Sequence, residues 1–115
     1  MQTGNFYEDK AIEYLTLKGY RILERNFCSR FGEIDIIAQD LQCTCFVEVK
    51  ARNSNYLVSG LEAVDIRKIE KIRKTALFYT ANKPDEFYRF DVLEIIQHRD
   101  YRQYNLIKGA FDFST

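Results

Sequence analysis

Three residues of this chain have the types and spacing to do chemistry together. Asp35 lies in EIDIIA, and Glu48 and Lys50 lie in FVEVKAR, with twelve residues between Asp35 and Glu48. Both segments are β-branched and alternating, which reads as a pair of strands. Period-two alternation puts Glu33, Asp35 and Ile37 on one face of the first, and Phe46, Glu48 and Lys50 on one face of the second. A hairpin turning between Leu41 and Gln42 sets Asp35 opposite Glu48 and Glu33 opposite Lys50. Opposed Cβ atoms lie about 4.5–5.5 Å apart, and like charges so placed repel.

Two arrangements account for two acids held this way. The face can be solvent-exposed, with the acids screened by water and nearby cations. Alternatively, a divalent cation between the carboxylates converts repulsion into coordination. Mg²⁺ accepts one or two carboxylates plus waters and a substrate phosphate. Lys50, about 6.5 Å beyond Glu48 on the same face, could then stabilise charge at a reacting phosphate. The Ile, Val and Phe residues flanking these charges argue against a plain exposed surface.

The elements that must position these residues follow in order. Apolar residues at three- and four-residue spacing predict a helix from Phe6 to Leu17, ended by Gly19. Tyr20 to Phe27 is a strand candidate, followed by the hairpin. A long helix is predicted from Leu61 to Ala81, with Leu61, Val64, Ile69, Ile72, Ala76, Leu77 and Tyr79 or Thr80 along one side. Its other side is basic: Arg67, Lys68, Lys71, Arg73 and Lys74. Phe87 to Ile96 reads as a further strand, and the tail from Arg99 as at most a short one. The order α-β-β-β-α-β is that of an α+β domain with a mixed sheet.

Composition bounds the rest. A chain of 115 residues, 46% hydrophobic, holds one domain spanning residues 1–115. Seventeen basic residues balance seventeen acidic ones, so contact with nucleic acid would need cations sorted by face. The opening MQTGNFYEDK lacks a basic n-region and an apolar h-region. No apolar run approaches the roughly 20 residues of a membrane span. A cytoplasmic protein without membrane contact is expected. Cys28, Cys43 and Cys45 show no pairing pattern and are expected to be reduced; a zinc site would lack a fourth ligand, since His98 is the only His and stands far downstream.

Asp35 followed by Glu48-Val49-Lys50 resembles the D…(D/E)-x-K signature of the PD-(D/E)xK nuclease superfamily. The longer context, YEDKAIEYLTLKGYRILERN, FGEIDIIA, FVEVKAR, LEAVDIRKIEKIRKTALFY and YRFDVLEI, is similar in order and spacing to a bacterial family of small uncharacterised proteins related to archaeal Holliday-junction resolvases. The resemblance covers residues 4–111. It implies an αβββαβ, restriction-endonuclease-like core with a mixed central sheet flanked by helices, and a metal site where the strands bearing Asp35 and Glu48 diverge. Carried over residue by residue, Asp35 and Glu48 are the metal ligands, Lys50 the catalytic lysine, and Glu8 of the first helix the acid that completes the site. The Val49 carbonyl joins the metal ligands, and the ion implied is Mg²⁺ or Mn²⁺. Tyr7 stands where the family usually has Gly.

Arg52, Lys68 and Lys71 are candidate contacts to DNA phosphates, each weighed against a plain surface cation; Arg30 is a further available cation. Glu33 is either a supporting acid or the partner of Lys50 or Arg52. Arg89 and Asp91 are expected to form a structural ion pair fixing the last strand, and Glu13 and His98 to lie on the surface. Asn53 to Gly60 is either a loop near the substrate or a simple connection. The function implied is a metal-dependent endonuclease acting on DNA phosphodiester bonds, branched DNA included. The alternative is a non-catalytic nucleic-acid-binding or adaptor protein that keeps the nuclease fold. Resolvase relatives act as dimers, so a homodimer is the assembly the resemblance raises.

Overall fold

The computed structural model describes residues 3–54, 66–83 and 87–111. Helix α1 spans Thr3–Leu17, strand β1 Arg21–Ser29, β2 Gly32–Asp40 and β3 Cys43–Asn53. Helix α2 spans Ile66–Thr80, β4 Phe87–Gln97 and β5 Arg102–Phe111. The five strands form one sheet in sequential order, antiparallel except between β3 and β4. That parallel pair needs a crossover connection, which α2 occupies. The αβββαβ order is therefore present, followed by a ten-residue β5 rather than the short strand expected after Arg99.

The end of α1 shows how local sequence sets tertiary position. Gly19 takes φ +95°, a conformation that glycine adopts without steric penalty. The Tyr20 N–H then bonds the Leu15 carbonyl at 2.9 Å and the Gly19 N–H that of Thr16 at 3.0 Å, the two bonds of a Schellman cap. The turn drives Tyr20 into the core, where its hydroxyl donates to buried Asp91 at 3.0 Å. Arg89 also grips Asp91, with Nε at 2.8 Å from Oδ1. The Gly109 N–H adds a bond of 3.0 Å from β5. Arg89 and Asp91 thus form the structural pair that fixes the last strand, and burial with the Asp91 charge pushes the Tyr20 hydroxyl's pKa far up.

Each helix seals one face of the sheet. On one side Ala11 and Leu15 of α1 pack with Ile36, Ala38, Cys45, Val47, Leu93 and Ile95. On the other, Ile72 and Ala76 of α2 pack with Ile34, Ile37, Phe46 and Phe90. Each fully buried Ile, Leu or Phe contributes about 1.5–3 kcal/mol, so these clusters can carry the cost of burying acids between them. Two details of α2 depart from the predicted stripe. Thr75 is buried beside Ile72 and Ala76, whereas Leu77 lies 56% exposed. The buried set is 72, 75 and 76, with half-buried Tyr79 on the same helical face, and Leu77 falls off it. Residues 61–65, including Leu61 and Val64, lie outside the described residues.

Gly32 sets how closely α2 lies on β2. A Cβ there would stand 3.2 Å from the Lys71 Cβ and 3.6 Å from the Thr75 Oγ1. Thr75 also shares a hydrogen bond of 3.0 Å with Ser29 at the end of β1. The three cysteines are free, with Cys28 exposed and Cys45 buried. Glu13 is exposed and pairs with Lys10 at 3.6 Å. His98 contacts Gln103 at 2.9 Å at the exposed β4–β5 turn.

Candidate active site

The β2–β3 hairpin has the register that its two-residue turn dictates. Asp40 opposes Cys43, Ala38 opposes Cys45, and the last pair is Ile36 with Val47. Leu41 makes the turn at φ +57°. Beyond Ile36 the two strands part: β2 continues beside β1 to Gly32, while β3 continues beside β4 to Asn53. Asp35 and Glu48 are the first residues past that fork. The strict alternation also fails there, because Ile34 packs with Ile37 on the α2 side and Ile36 on the α1 side.

At the fork the two carboxyl groups meet. The Val49 N–H donates to Asp35 Oδ2 at 2.8 Å, and the Glu48 carboxylate stands near enough for its charge to act on Asp35. Burial and the Glu48 charge push the Asp35 pKa up to about 7, against the lowering effect of the Val49 N–H and Lys68. Burial first, and the neighbouring acid second, thus favour the neutral form of Asp35. Glu48 is only 3% exposed. Its Oε2 lies 2.5 Å from the Lys68 Nζ and 3.5 Å from the Lys50 Nζ. Despite those charges, Oε2 is fully buried and no hydrogen bond of acceptable direction reaches it. Burial works against the Lys68 ammonium, but the adjacent Glu48 carboxylate outweighs it and holds the Lys68 pKa above its ordinary value.

A cavity of about 280 Å³ opens over this pair. Tyr7 and Glu8 of α1, Asp35 of β2, Glu48, Val49 and Ala51 of β3, and Lys68 of α2 line it. Glu8 therefore shares the cavity of the two acids. Its carboxylate accepts from the Asn26 Nδ2 at 3.1 Å and lies 3.8 Å from the Arg25 Nε. Among the described residues no three acid, His or Cys side chains converge closely enough to form a metal cluster. Helix α1 runs unbroken through Tyr7, the position where Gly was the family's usual residue.

The remaining candidates are dispersed. Lys71 is not on the acid pair. With Gly32, Glu33, Arg67, Lys68 and Ile72 it lines a neighbouring concavity, and Lys68 belongs to both. The Arg52 Nε bonds buried Glu94 at 2.8 Å. Arg30 lies 5.0 Å over the Phe31 ring. The expected opposition of Glu33 and Lys50 does not form, because the strands have already separated. Glu33 is exposed and takes the Cys28 thiol at 3.6 Å, while Lys50 turns to Glu48. Of the segment from Asn53 to Gly60, only Asn53 and Ser54 lie within the described residues.

Sequence reasoning passed over Asn26, Arg25, Glu94 and Asn105. A Glu among Val, Leu and Ile in DVLEII was the available signal for Glu94, which bonds both Arg52 and the Asn105 Nδ2 (3.0 Å). For Asn26 the signal was an Asn inside a predicted strand, a residue type that tolerates left-handed backbone.

Fold and site together define a class: an α+β protein with a mixed five-stranded sheet, whose central hairpin forks at half-buried Asp35 and buried Glu48, flanked by two lysines. Residues 7–95 match the model of the uncharacterised protein family UPF0102. The chain is 47% identical over 111 residues to a UPF0102 protein of Persephonella marina, covering 95% of this chain and 92% of that one. It is 47% identical over 97 residues to a UPF0102 protein of Fusobacterium nucleatum, with 83% and 82% covered. Against a UPF0102 protein of Clostridium botulinum it is 47% identical over 113 residues, with 94% and 92% covered. The chain belongs to the UPF0102 family.

Proposed function

We propose that this protein is a divalent-metal-dependent endonuclease acting on DNA phosphodiester bonds. The observation that carries the reading is the pair of acids at the fork, half-buried Asp35 and buried Glu48, which line one cavity. Burial and the Glu48 charge both oppose ionisation of Asp35. Two acids placed this way cost free energy when both are charged, unless cations compensate them. A hard cation bound by two carboxylate oxygens meets that need, and Mg²⁺ or Mn²⁺ asks no more protein acids than these. Asp35 and Glu48 would hold the ion, with the Val49 carbonyl as the third ligand implied by the superfamily resemblance. When bound, such an ion supplies Lewis-acid polarisation of the phosphate and a nucleophilic water near neutral pH.

The chain's own residues supply the rest. Lys50, held beside Glu48, would place its ammonium against the charge that grows on the phosphate. Glu8 would add negative charge at the cavity rim. Lys68 and Lys71, with Arg67 of the neighbouring concavity, would hold the DNA backbone. Arg52 serves Glu94 first and would reach phosphate only through its outer nitrogens.

A second reading, a non-catalytic nucleic-acid-binding or adaptor protein, is favoured by one observation: Lys68 already sits 2.5 Å from Glu48, so a cation is in place without a metal. One experiment separates the two. Cleavage of linear, nicked, flapped and four-way DNA is assayed with Mg²⁺ and Mn²⁺, beside Mn²⁺ binding by calorimetry, for the wild type, Glu48→Gln and Lys50→Ala. The nuclease reading expects metal-dependent cutting lost in both variants. DNA binding with neither Mn²⁺ binding nor cutting leaves the adaptor reading standing alone. As to membranes, no described helix is long and apolar enough to cross one.

A further inference from the structure

Asn26 has a backbone conformation that its place in a strand does not explain. It lies inside β1, yet its φ is +54°. The neighbouring pairs are Arg25 with Ile36 and Phe27 with Ile34, so Asn26 stands opposite Asp35. The left-handed residue and the acid at the fork therefore face each other across the same two strands. Left-handed conformations in non-glycine residues persist where the surroundings hold them, and they gather at functional sites.

The consequence of that conformation is visible in the side chains. Successive residues of a regular strand point to opposite faces. Here Arg25 and Asn26 both reach α1. The Arg25 Nη2 bonds Asp9 at 2.5 Å, and its Nε lies 3.8 Å from Glu8 Oε1. The Asn26 Nδ2 donates to that same Oε1 at 3.1 Å. Two adjacent strand residues thus clamp two adjacent helix acids. Glu8 is the one that also lines the cavity over Asp35 and Glu48.

We propose that Asn26 is a positioning residue: its left-handed turn aims a neutral amide donor at Glu8 and holds that carboxylate over the Asp35–Glu48 pair. A neutral donor fixes the carboxylate without adding to the positive charge that Arg25 already places 3.8 Å from the same oxygen. Glu8 so held lines the cavity, where a divalent cation would be drawn. This inference rests on the metal-dependent reading above and goes beyond it in naming a residue outside the acid–lysine set.

The test measures Mn²⁺ affinity and thermal stability of the full chain in parallel. Asn26→Gly keeps the backbone conformation without strain and removes only the donor. Its melting temperature should stay within about 2 °C of wild type, while Mn²⁺ affinity falls about tenfold, the scale seen when a residue supporting metal ligands is lost. Glu8→Gln should lose a similar factor. The double variant should bind no more weakly than Glu8→Gln alone, since both changes interrupt one contact. Asn26→Ala lacks the donor and also resists the left-handed φ, so it should match Asn26→Gly in affinity and melt lower. Wild-type affinity in Asn26→Gly, or multiplying losses in the double variant, would overturn the role of Asn26 and leave the metal site intact. A wild-type chain that binds no Mn²⁺ would overturn the metal reading and this inference with it.

Discussion

Replacing Asp35 by Asn should stabilise the metal-free protein at alkaline pH. The amide is nearly isosteric, and its oxygen can still accept the Val49 N–H that Asp35 accepts at 2.8 Å. What disappears is the charge. The Asp35 pKa is pushed from 3.8 to about 7 by burial and by Glu48. At about 1.4 kcal/mol per pKa unit, that shift sets a ceiling of roughly 4 kcal/mol on the cost of ionising Asp35 in the folded chain. Partial solvent access and relaxation bring the expected effect to about 2 kcal/mol. The sign follows from a folded pKa above the unfolded one. The contribution of Asp35 is fully present below pH 4 and is lost as pH rises through 7. Wild type and Asp35→Asn should therefore be within about 1 kcal/mol of each other at pH 5, with the variant ahead at pH 8.5. Urea unfolding in EDTA at the two pH values measures this, and the difference between differences cancels every titrating group that does not interact with Asp35. At pH 8.5 with Mn²⁺ at a hundred times its Kd, wild type alone should gain about 2.7 kcal/mol. A variant less stable than wild type at pH 8.5 in EDTA, or a gap that ignores pH, would refute the account of an Asp35 charge opposed by burial and by Glu48.

Three further outcomes follow from the same geometry. Lys68→Gln should reduce the slope of log DNA affinity against log salt by about 0.9, one phosphate contact, in a binding titration across salt concentrations; Lys50→Ala should leave that slope nearly unchanged while ending cleavage. Gly32→Ala puts a methyl 3.2 Å from the Lys71 Cβ and should cost about 1–3 kcal/mol by chemical unfolding, with Lys68 carried away from Glu48. Asp91→Ala leaves Arg89 and the Tyr20 hydroxyl without their buried acceptor, so a loss of about 3–5 kcal/mol is expected, read as a fall in melting temperature of roughly 10 °C or more.

Much of the frame was written in short-range pattern. Alternation in EIDIIA and FVEVKAR, with a two-residue turn at Leu41 and Gln42, is enough to specify which residues oppose which, because a slip of one would carry every side chain to the opposite face. Gly19 ended α1, and the basic residues of α2 showed as one charged side. These signals arise between residues a few positions apart, so a single chain displays them. Leu77 and β5 were harder: an exposed Leu looks like any other in a helical stripe, and RQYNLIKGAF is a half-buried edge strand with little apolar alternation.

The content of the site was decided by the tertiary structure. That β2 leaves β3 after Ile36 depends on β1 and β4 drawing the two strands apart, and this separates Glu33 from Lys50. That Lys68 reaches Glu48 depends on α2 lying against Gly32, and that Arg52 turns to Glu94 depends on a parallel neighbour more than forty residues away in sequence. The left-handed Asn26 joins a strand to a helix across eighteen positions. Periodicity states which face a side chain starts from. Which partner it meets there is set by how distant segments pack, and the burial that raises the Asp35 pKa exists only once they have.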